Sequence, residues 1–466
     1  MGQYYWHPDI LEEYDVFPLV TACGKESRMT IRPTGGRQIF VPGKEYQLEV
    51  CAFEQGEPLY FPLSGSFKKE TIRANQEGGF EVTHLFSSEQ AYYLRFSDPD
   101  GNILYEYPVY AVNDDLQKRY PFWGDLHLHT TCSDGAQTPE VMTADCRAHG
   151  YDFLAITDHR RYYPSLRAID FCRNLPTELC VCPGEEVQLS AANGRINDVH
   201  IINFGGEYSI NALFPGEQRS EVGTDPAIRS LFGKCPEACS QEAYNALMTR
   251  LTEEIRVPAG VDPYPAASCK WIFEEIRKAG GLGILAHPYW LNNVFHIPAG
   301  LLDYLVENRI FDAMEVLGGE RYFEQNGFQT IRYYEDKARG FCYPIVGASD
   351  SHSSLPTNPD RFISSSIVFA RKNTREELIS AIRECYCVAM DTISREYRMV
   401  GDLRLVKYAD FLWQYYFPRH NELCQEEGRL IRVCATGREE EKEEARALLQ
   451  KMYGRVARLR EKYIAF

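Results

Sequence analysis

Histidine is scarce in this chain, with 11 among 466 residues. Basic residues are in deficit too: 50 Lys and Arg stand against 66 Asp and Glu, a formal net charge of -16. Phosphate backbones and anionic headgroups are held by basic faces. The balance therefore argues against nucleic acid or a membrane surface as a partner, and it suits multivalent cations. No apolar run approaches the ~20 residues of a membrane helix. The opening stretch MGQYYWHPDILEEYD has neither a basic nor an apolar leader region, so no secretory signal is expected. Trp6 stands where a myristoylation signal carries Ser or Thr. Fifteen cysteines is an odd number, so they cannot all pair internally. The expectation is a cytoplasmic protein with reduced thiols. Cys180-x-Cys182 and Cys385-x-Cys387 then read as structural, because no four-ligand zinc spacing accompanies them.

What is present divides the chain into parts. Residues 1–118 are rich in strand formers with alternating patterns, such as AYYLRF and NILYEYPVYAV, separated by the turn residues of VPGKE, NQEGG and SDPDGN. Short strands at that spacing predict a β-sandwich. The stretch NDDLQKRYP closes it. From there to about residue 400, strand patterns alternate with helical ones: TPEVMTADCRAHG with Thr138 as N-cap, CKWIFEEIRKAGG, FQTIRYYEDKARG and TREELISAIREC. Gly150, Gly280 and Gly340 fall where helices end. Some seven strand-helix repeats predict an α/β domain with a parallel sheet closed into a barrel. Residues 205–267 break the repeat and read as an insertion or lid. Residues 401–466 form a C-terminal helical extension, with Ala445, Leu448, Leu449, Met452, Val456, Leu459 and Tyr463 on one stripe of a helix over 438–466.

Six of the histidines fall in motifs at the expected strand ends. GDLHLHTTCSDG contributes His127, His129 and Asp134; AITDH contributes Asp158 and His159; PGEEV contributes Glu185 and Glu186. His200 follows in DVH, His287 in LAHP, Glu315 in MEV, and Asp350 and His352 in SDSH. Alternate residues of a strand share a face, so the HxH rings point one way, and the strand ends of a barrel converge. Imidazoles mixed with carboxylates suit zinc, manganese or iron. One such motif is weak; the ordered set points to a multinuclear metal centre. Arg160, Arg161, Arg195 and Arg321 lie on loops beside these motifs, where arginine's planar fork suits a bidentate grip on an anionic substrate. Tyr162, Tyr163, Tyr289 and Trp290 are candidates for an aromatic wall or for lid packing.

This ordered set resembles the successive motifs of the polymerase and histidinol phosphatase (PHP) superfamily over residues 122–390. The resemblance implies a distorted (β/α)7 barrel over residues 119–400 that holds two or three divalent transition metal ions. Position by position it implies His127, His129, Asp134, His159, Glu186, His200, His287, Asp350 and His352 as metal ligands. Glu186 rather than Glu185 fits the family's Gly-x-Glu. Glu315 is a second-layer orienter or a buried acid, and Asp158 a brace. The implied activity is hydrolysis of a small organic phosphate ester by a metal-bridging hydroxide, with His127, His129, His159, Glu186, Asp350 and His352 at the chemistry. Two other readings stand beside it: a metal hydrolase of another ester such as a lactone, and a carbohydrate- or protein-binding module whose barrel is incidental.

Overall fold

The computed structural model describes residues 13–35, 39–55, 67–214, 237–392 and 397–466. The opening dozen residues and residues 215–236 of the expected insertion lie outside them. The chain divides into two compact units.

The first unit comprises Met1–Tyr120, Lys407–His420 and Arg455–Phe466. One sheet runs in the order Val20–Ala22, Ile103–Val112, Gln90–Ser97, Glu45–Ala52, Lys69–Arg73; the other runs Tyr14–Phe17, Glu26–Pro33, Phe80–Leu85. Side chains alternate across the pleat: Phe80 and Val82 are buried while Glu81 and Thr83 are exposed. Rings from both sheets meet at Phe40, whose centroid lies 5.4 Å from Tyr14, 5.1 Å from Tyr46, 4.8 Å from Phe80 and 5.3 Å from Phe96. The C-terminus is tied into this unit. Leu19 N–H donates to the Tyr463 carbonyl at 2.8 Å, and the Tyr463 hydroxyl donates to Asp15 at 2.6 Å.

The single helix expected over 438–466 is two, Glu439–Met452 and Arg455–Tyr463. Gly454 sits at φ 78° between them, a left-handed conformation that glycine adopts without penalty. Ala445, Leu449, Val456 and Tyr463 of the stripe are buried, but Leu448 is exposed.

The second unit comprises Pro121–Val406 and Asn421–Gly454 and is mixed α/β. One sheet has the order Cys180–Cys182, Phe153–Ala155, Tyr120–Asp125, Ser364–Ala370, Cys387–Asp391, Met399–Val400. The other has the order Gly184–Val187, Ile201–Phe204, Leu282–Leu285, Ala313–Leu317, Ile345–Gly347. The run VCPGEEV is thus two strands, divided by Pro183, which has no N–H to give a ladder. Isolated parallel bridges join His159 to Glu186 and Leu128 to Ser351. The expectation of a parallel sheet is corrected at two strands. Ile201–Phe204 runs antiparallel to both neighbours, and Cys387–Asp391 runs antiparallel to both Ser364–Ala370 and Met399–Val400. The strands of the second sheet are buried throughout, as a sheet covered on both faces requires.

The helices start and stop for local reasons. Thr138, Ser240 and Thr374 accept backbone hydrogen bonds at the heads of Pro139–His149, Gln241–Glu254 and Arg375–Arg383, as N-caps do. Gly150 ends the first of these at φ 119°. Buried Arg147, on its inner face, pairs with Glu427 at 2.8 Å and Asp152 at 3.2 Å. No described helix is long and apolar enough to cross a membrane.

Phe40→Ala removes a fully buried ring shared by two sheets. It should cost about 3–5 kcal/mol, read as an earlier urea transition. A loss below about 1 kcal/mol would show that the aromatic cluster does not hold the first unit together.

Candidate metal centre

The cluster is assembled from connections that leave strands of the second unit. His127 and His129 lie just past the end of Tyr120–Asp125, not within it, in extended backbone that Leu128 pins through its bridge to Ser351. Both rings still fall on one side, with the His127 and His129 Nε2 atoms 3.1 Å apart. His200 precedes its strand instead of ending it. Because Ile201–Phe204 is reversed, its first residues lie beside the last residues of its neighbours: Ile201 pairs with Val187 and Leu285. His287 and Asp350 hold left-handed backbone, at φ 22° and 54°. Non-glycine residues rarely adopt that region, and it concentrates at functional sites.

All nine residues expected as ligands converge. Glu186 is the hub. Its Oε2 lies 2.7 Å from His159 Nδ1, 3.4 Å from His129 Nε2 and 3.5 Å from His127 Nε2. Its Oε1 lies 2.6 Å from His200 Nδ1 and 4.0 Å from His287 Nε2. Asp350 Oδ1 lies 2.9 Å from His129 Nε2 and 3.2 Å from His127 Nε2, and its Oδ2 lies 3.7 Å from His287 Nε2. Asp134 Oδ2 lies 3.3 Å from His352 Nε2 and 3.6 Å from His159 Nε2. Four overlapping sets have the spacing of a metal site: His129, Asp134, His159 and His352; His127, His287 and Asp350; His127, His129 and Glu186; Glu186, His200 and His287.

These residues fit divalent ions on chemical grounds. Both Glu186 oxygens, Asp350 Oδ1, His200 Nδ1 and His287 Nδ1 are buried without an aligned hydrogen bond. Buried polar atoms are ordinarily satisfied. Close approach without hydrogen-bond geometry is what donor atoms show when they face a shared cation. Burial alone would push the Glu186 carboxyl up, but the charges of His200 and His159 hold it well below the usual carboxylate range. Asp350 is likewise held low against its burial, by His127 and His129. Burial opposes charge on His127 too, yet Asp350 and Glu315 raise it well above the ordinary imidazole value. His159, against the same opposition, is raised to about 10 by Glu186 and Asp134.

An outer layer orients these groups. Glu315, left open between two roles by the sequence, touches two of the nine. Its Oε1 meets His127 Nδ1 at 2.9 Å, and its Oε2 accepts from the His287 backbone N–H at 2.9 Å. Asp158 accepts from the Thr130 N–H and hydroxyl and from the Ser133 hydroxyl, bracing the loop after His129. Glu185 turns away and takes hydrogen bonds from Asn203, Ser209, Ile210 and Asn211.

Sequence reasoning missed Gln188 and His296. The Gln188 amide nitrogen lies 3.1 Å from His159 Nδ1 and 2.9 Å from His200 Nε2. His296 Nε2 accepts from the His200 N–H at 3.1 Å. Gln188 follows Glu186 at the alternate position of an extended run, which could have marked it; nothing in the sequence marks His296.

The arginines and aromatics separate. Arg160, at φ 60°, reaches Gln188 Oε1 at 3.3 Å. Arg161 continues the same loop, its N–H bonded to the Asp158 carbonyl. Arg195 pairs with Asp262 and lies over the Tyr264 ring, and Arg321 pairs with Asp360 at 3.2 Å. Tyr162 and Tyr163 are buried, and the Tyr162 hydroxyl donates to Gly206, so they pack instead of lining a wall. Trp290 has its ring 6.0 Å from His200 and 5.7 Å from His287.

Comparison with known proteins gives partial matches. No family model matches the chain. It is 35% identical over 133 residues to the DNA polymerase/3'-5' exonuclease PolX of Bacillus subtilis, covering 26% of this chain and 21% of that protein. It is 26% identical over 176 residues to the phosphoribosyl 1,2-cyclic phosphate 1,2-diphosphodiesterase of Eggerthella lenta, covering 34% of this chain and 62% of that one. The chain thus spans about a fifth and about three fifths of these relatives. Among solved structures, a two-domain Bacteroides vulgatus protein containing a predicted PHP-like metal-dependent phosphoesterase aligns at 17% identity. That alignment covers 58% of this chain and 65% of the other, with a TM-score of 0.36; likeness at that level settles neither fold nor function.

His159, raised to about 10, holds a proton at neutral pH in the metal-free centre that coordination must displace, and His127 and His352 are raised in the same direction. Titrating Zn²⁺ or Mn²⁺ at pH 7 in buffers of different ionisation enthalpy should show release of at least one proton per chain. Uptake without proton release would contradict this electrostatic picture.

Proposed function

From the chain's relationship to the PHP superfamily, we propose that it is a metal-dependent hydrolase of a small organic phosphate ester. In this reading the two sheets of the second unit make the distorted (β/α)7 barrel of a catalytic domain over 119–400, with 205–267 as an insertion or lid. Residues 1–118 are a β-sandwich, and 401–466 a helical extension. The nine converging residues hold two or three divalent ions, zinc, manganese or iron. Bound there, such ions would supply Lewis acidity at the phosphoryl oxygens and would activate a water as the nucleophile.

The chain's own residues do the rest. Glu315 fixes His127 through Nδ1, so that Nε2 faces the cluster. The His352 Nδ1–H donates to the Asp350 carbonyl at 2.8 Å, which presents its Nε2 toward Asp134. Gln188 spaces His159 from His200. Arg160, already against Gln188, grips a phosphate oxygen, and Arg161 adds charge beside it. Arg195 and Arg321 serve only after leaving their carboxylates. The observation that carries the reading is the buried Glu186 carboxylate, surrounded by imidazoles and satisfied by none. One relative is named a diphosphodiesterase and another an exonuclease, so phosphodiesters belong in the substrate panel. The polymerase relative acts on DNA by name; the expectation of no nucleic-acid partner rests here on charge alone.

Assay of phosphomonoesters, phosphodiesters and lactones with metal-loaded protein tests the reaction; turnover of lactones alone would overturn it. His127→Ala and Asp350→Ala should lose both bound metal and turnover while circular dichroism is kept, and full metal content in either would refute the ligand assignment. Glu315→Gln should lower metal affinity about 10–100-fold. Arg160→Ala should cut kcat/KM about tenfold or more with metal retained; an unchanged value would remove it from the phosphate site.

A further inference from the structure

Two apolar lips rise beside the cluster, on the connections that follow Leu282–Leu285 and Ala313–Leu317. The first is a hairpin of two-residue strands, Leu291–Asn292 and Val294–Phe295, turned at Asn293 with φ 66°. Its stem is fixed at both ends to the metal centre. It leaves from His287 through Trp290 and returns at His296, whose N–H donates to the Trp290 carbonyl at 2.8 Å and whose ring holds the His200 backbone. Its tip nevertheless exposes Leu291 by 51%, Val294 by 73% and Phe295 by 41%. The second lip, past the strand that carries Glu315, exposes Tyr322 by 61% and Phe323 by 64%. Phe328 joins the two, 6.0 Å from Phe295 and 5.9 Å from Phe323.

Single exposed apolar residues are ordinary; a contiguous patch marks a binding surface. This one is anchored to residues that face the cluster, which favours a ligand shared with that centre over a protein partner. Leu291, Val294, Phe295 and Phe323 offer no hydrogen bond to a sugar hydroxyl, and only Tyr322 carries a hydroxyl, so the lips present mainly flat or aliphatic surface. We propose that the lips hold the organic part of the substrate, and that this part is an apolar, ring-bearing alcohol. The proposal rests on the phosphoesterase reading for the identity of the other half of the molecule.

Calorimetry with two non-hydrolysable probes on metal-loaded protein tests it: 2-phenylethylphosphonate and ethylphosphonate, which differ only in the ring. The ring should tighten binding about tenfold, equivalent to ~1.4 kcal/mol. In the exposed double variant Val294→Ser with Phe295→Ser that ratio should fall toward one. Equal affinities in the wild type, a ratio unchanged in the variant, or no binding of either probe would overturn the proposal. Turnover of the matching pair of phosphate esters, measured alongside, reports separately on the reaction. Ring preference in binding without hydrolysis of either ester would sink the hydrolase reading and leave the lips as a binding surface.

Discussion

A carboxylate with no access to water and no aligned hydrogen bond is the constraint on which the second unit depends. Taking an ionised carboxylate out of water costs several kcal/mol even after relaxation, and Glu186 is fully buried. Four of the imidazoles around it lie within 3.5 Å, yet neither oxygen receives a directed donor. A centre of that kind is frustrated as a hydrogen-bond network and complete as a ligand set. Cations would resolve the frustration: once the imidazole protons are released, donor atoms now turned on one another could turn on a metal instead.

The topology follows from delivering ligands to that point. A parallel strand brings only its last residues to the converging end, so His127, His159, His287 and Asp350 all lie past strand ends. Reversing Ile201–Phe204 lets the residue before a strand, His200, reach the same place. Handing the chain from one sheet to the other at Pro183 sets Glu186 opposite His159, where the bridge between them closes the gap. Left-handed backbone at His287 and Asp350 then aims side chains that a regular extension would send elsewhere, and surrounding contacts such as the Glu315 bond to the His287 N–H hold it there.

Much of this was legible in the sequence because ligand chemistry leaves few substitutes. Scarce histidines grouped with acids at the ends of apolar runs marked twelve positions, the nine converging ones among them; the family resemblance, not spacing, set Asp158, Glu185 and Glu315 apart. Helix ends were legible for a similar reason, since Thr138 and Gly150 each satisfy a local backbone requirement. The reversed strand was not legible: DVHIINF has the same apolar run whichever way it points. The break at Tyr453–Gly454 was masked by helix-forming neighbours and by a stripe that continues in phase across it. Arg195 and Arg321 were placed by loop position, but position does not show that Asp262 and Asp360 stand ready to pair with them. Gln188 and His296 act through neighbours, and such roles depend on geometry that spacing does not encode.

The account's central claim is that Glu186 and the imidazoles around it share two or three metal ions. Anomalous X-ray scattering from crystals of the zinc- or manganese-loaded protein tests it most directly. The account predicts two or three peaks inside the cluster, each within about 2.0–2.2 Å of imidazole nitrogens or carboxylate oxygens, with a Glu186 oxygen next to at least two of them. A loaded crystal with no peak there, and with the imidazoles instead hydrogen-bonded to ordered water, would contradict it.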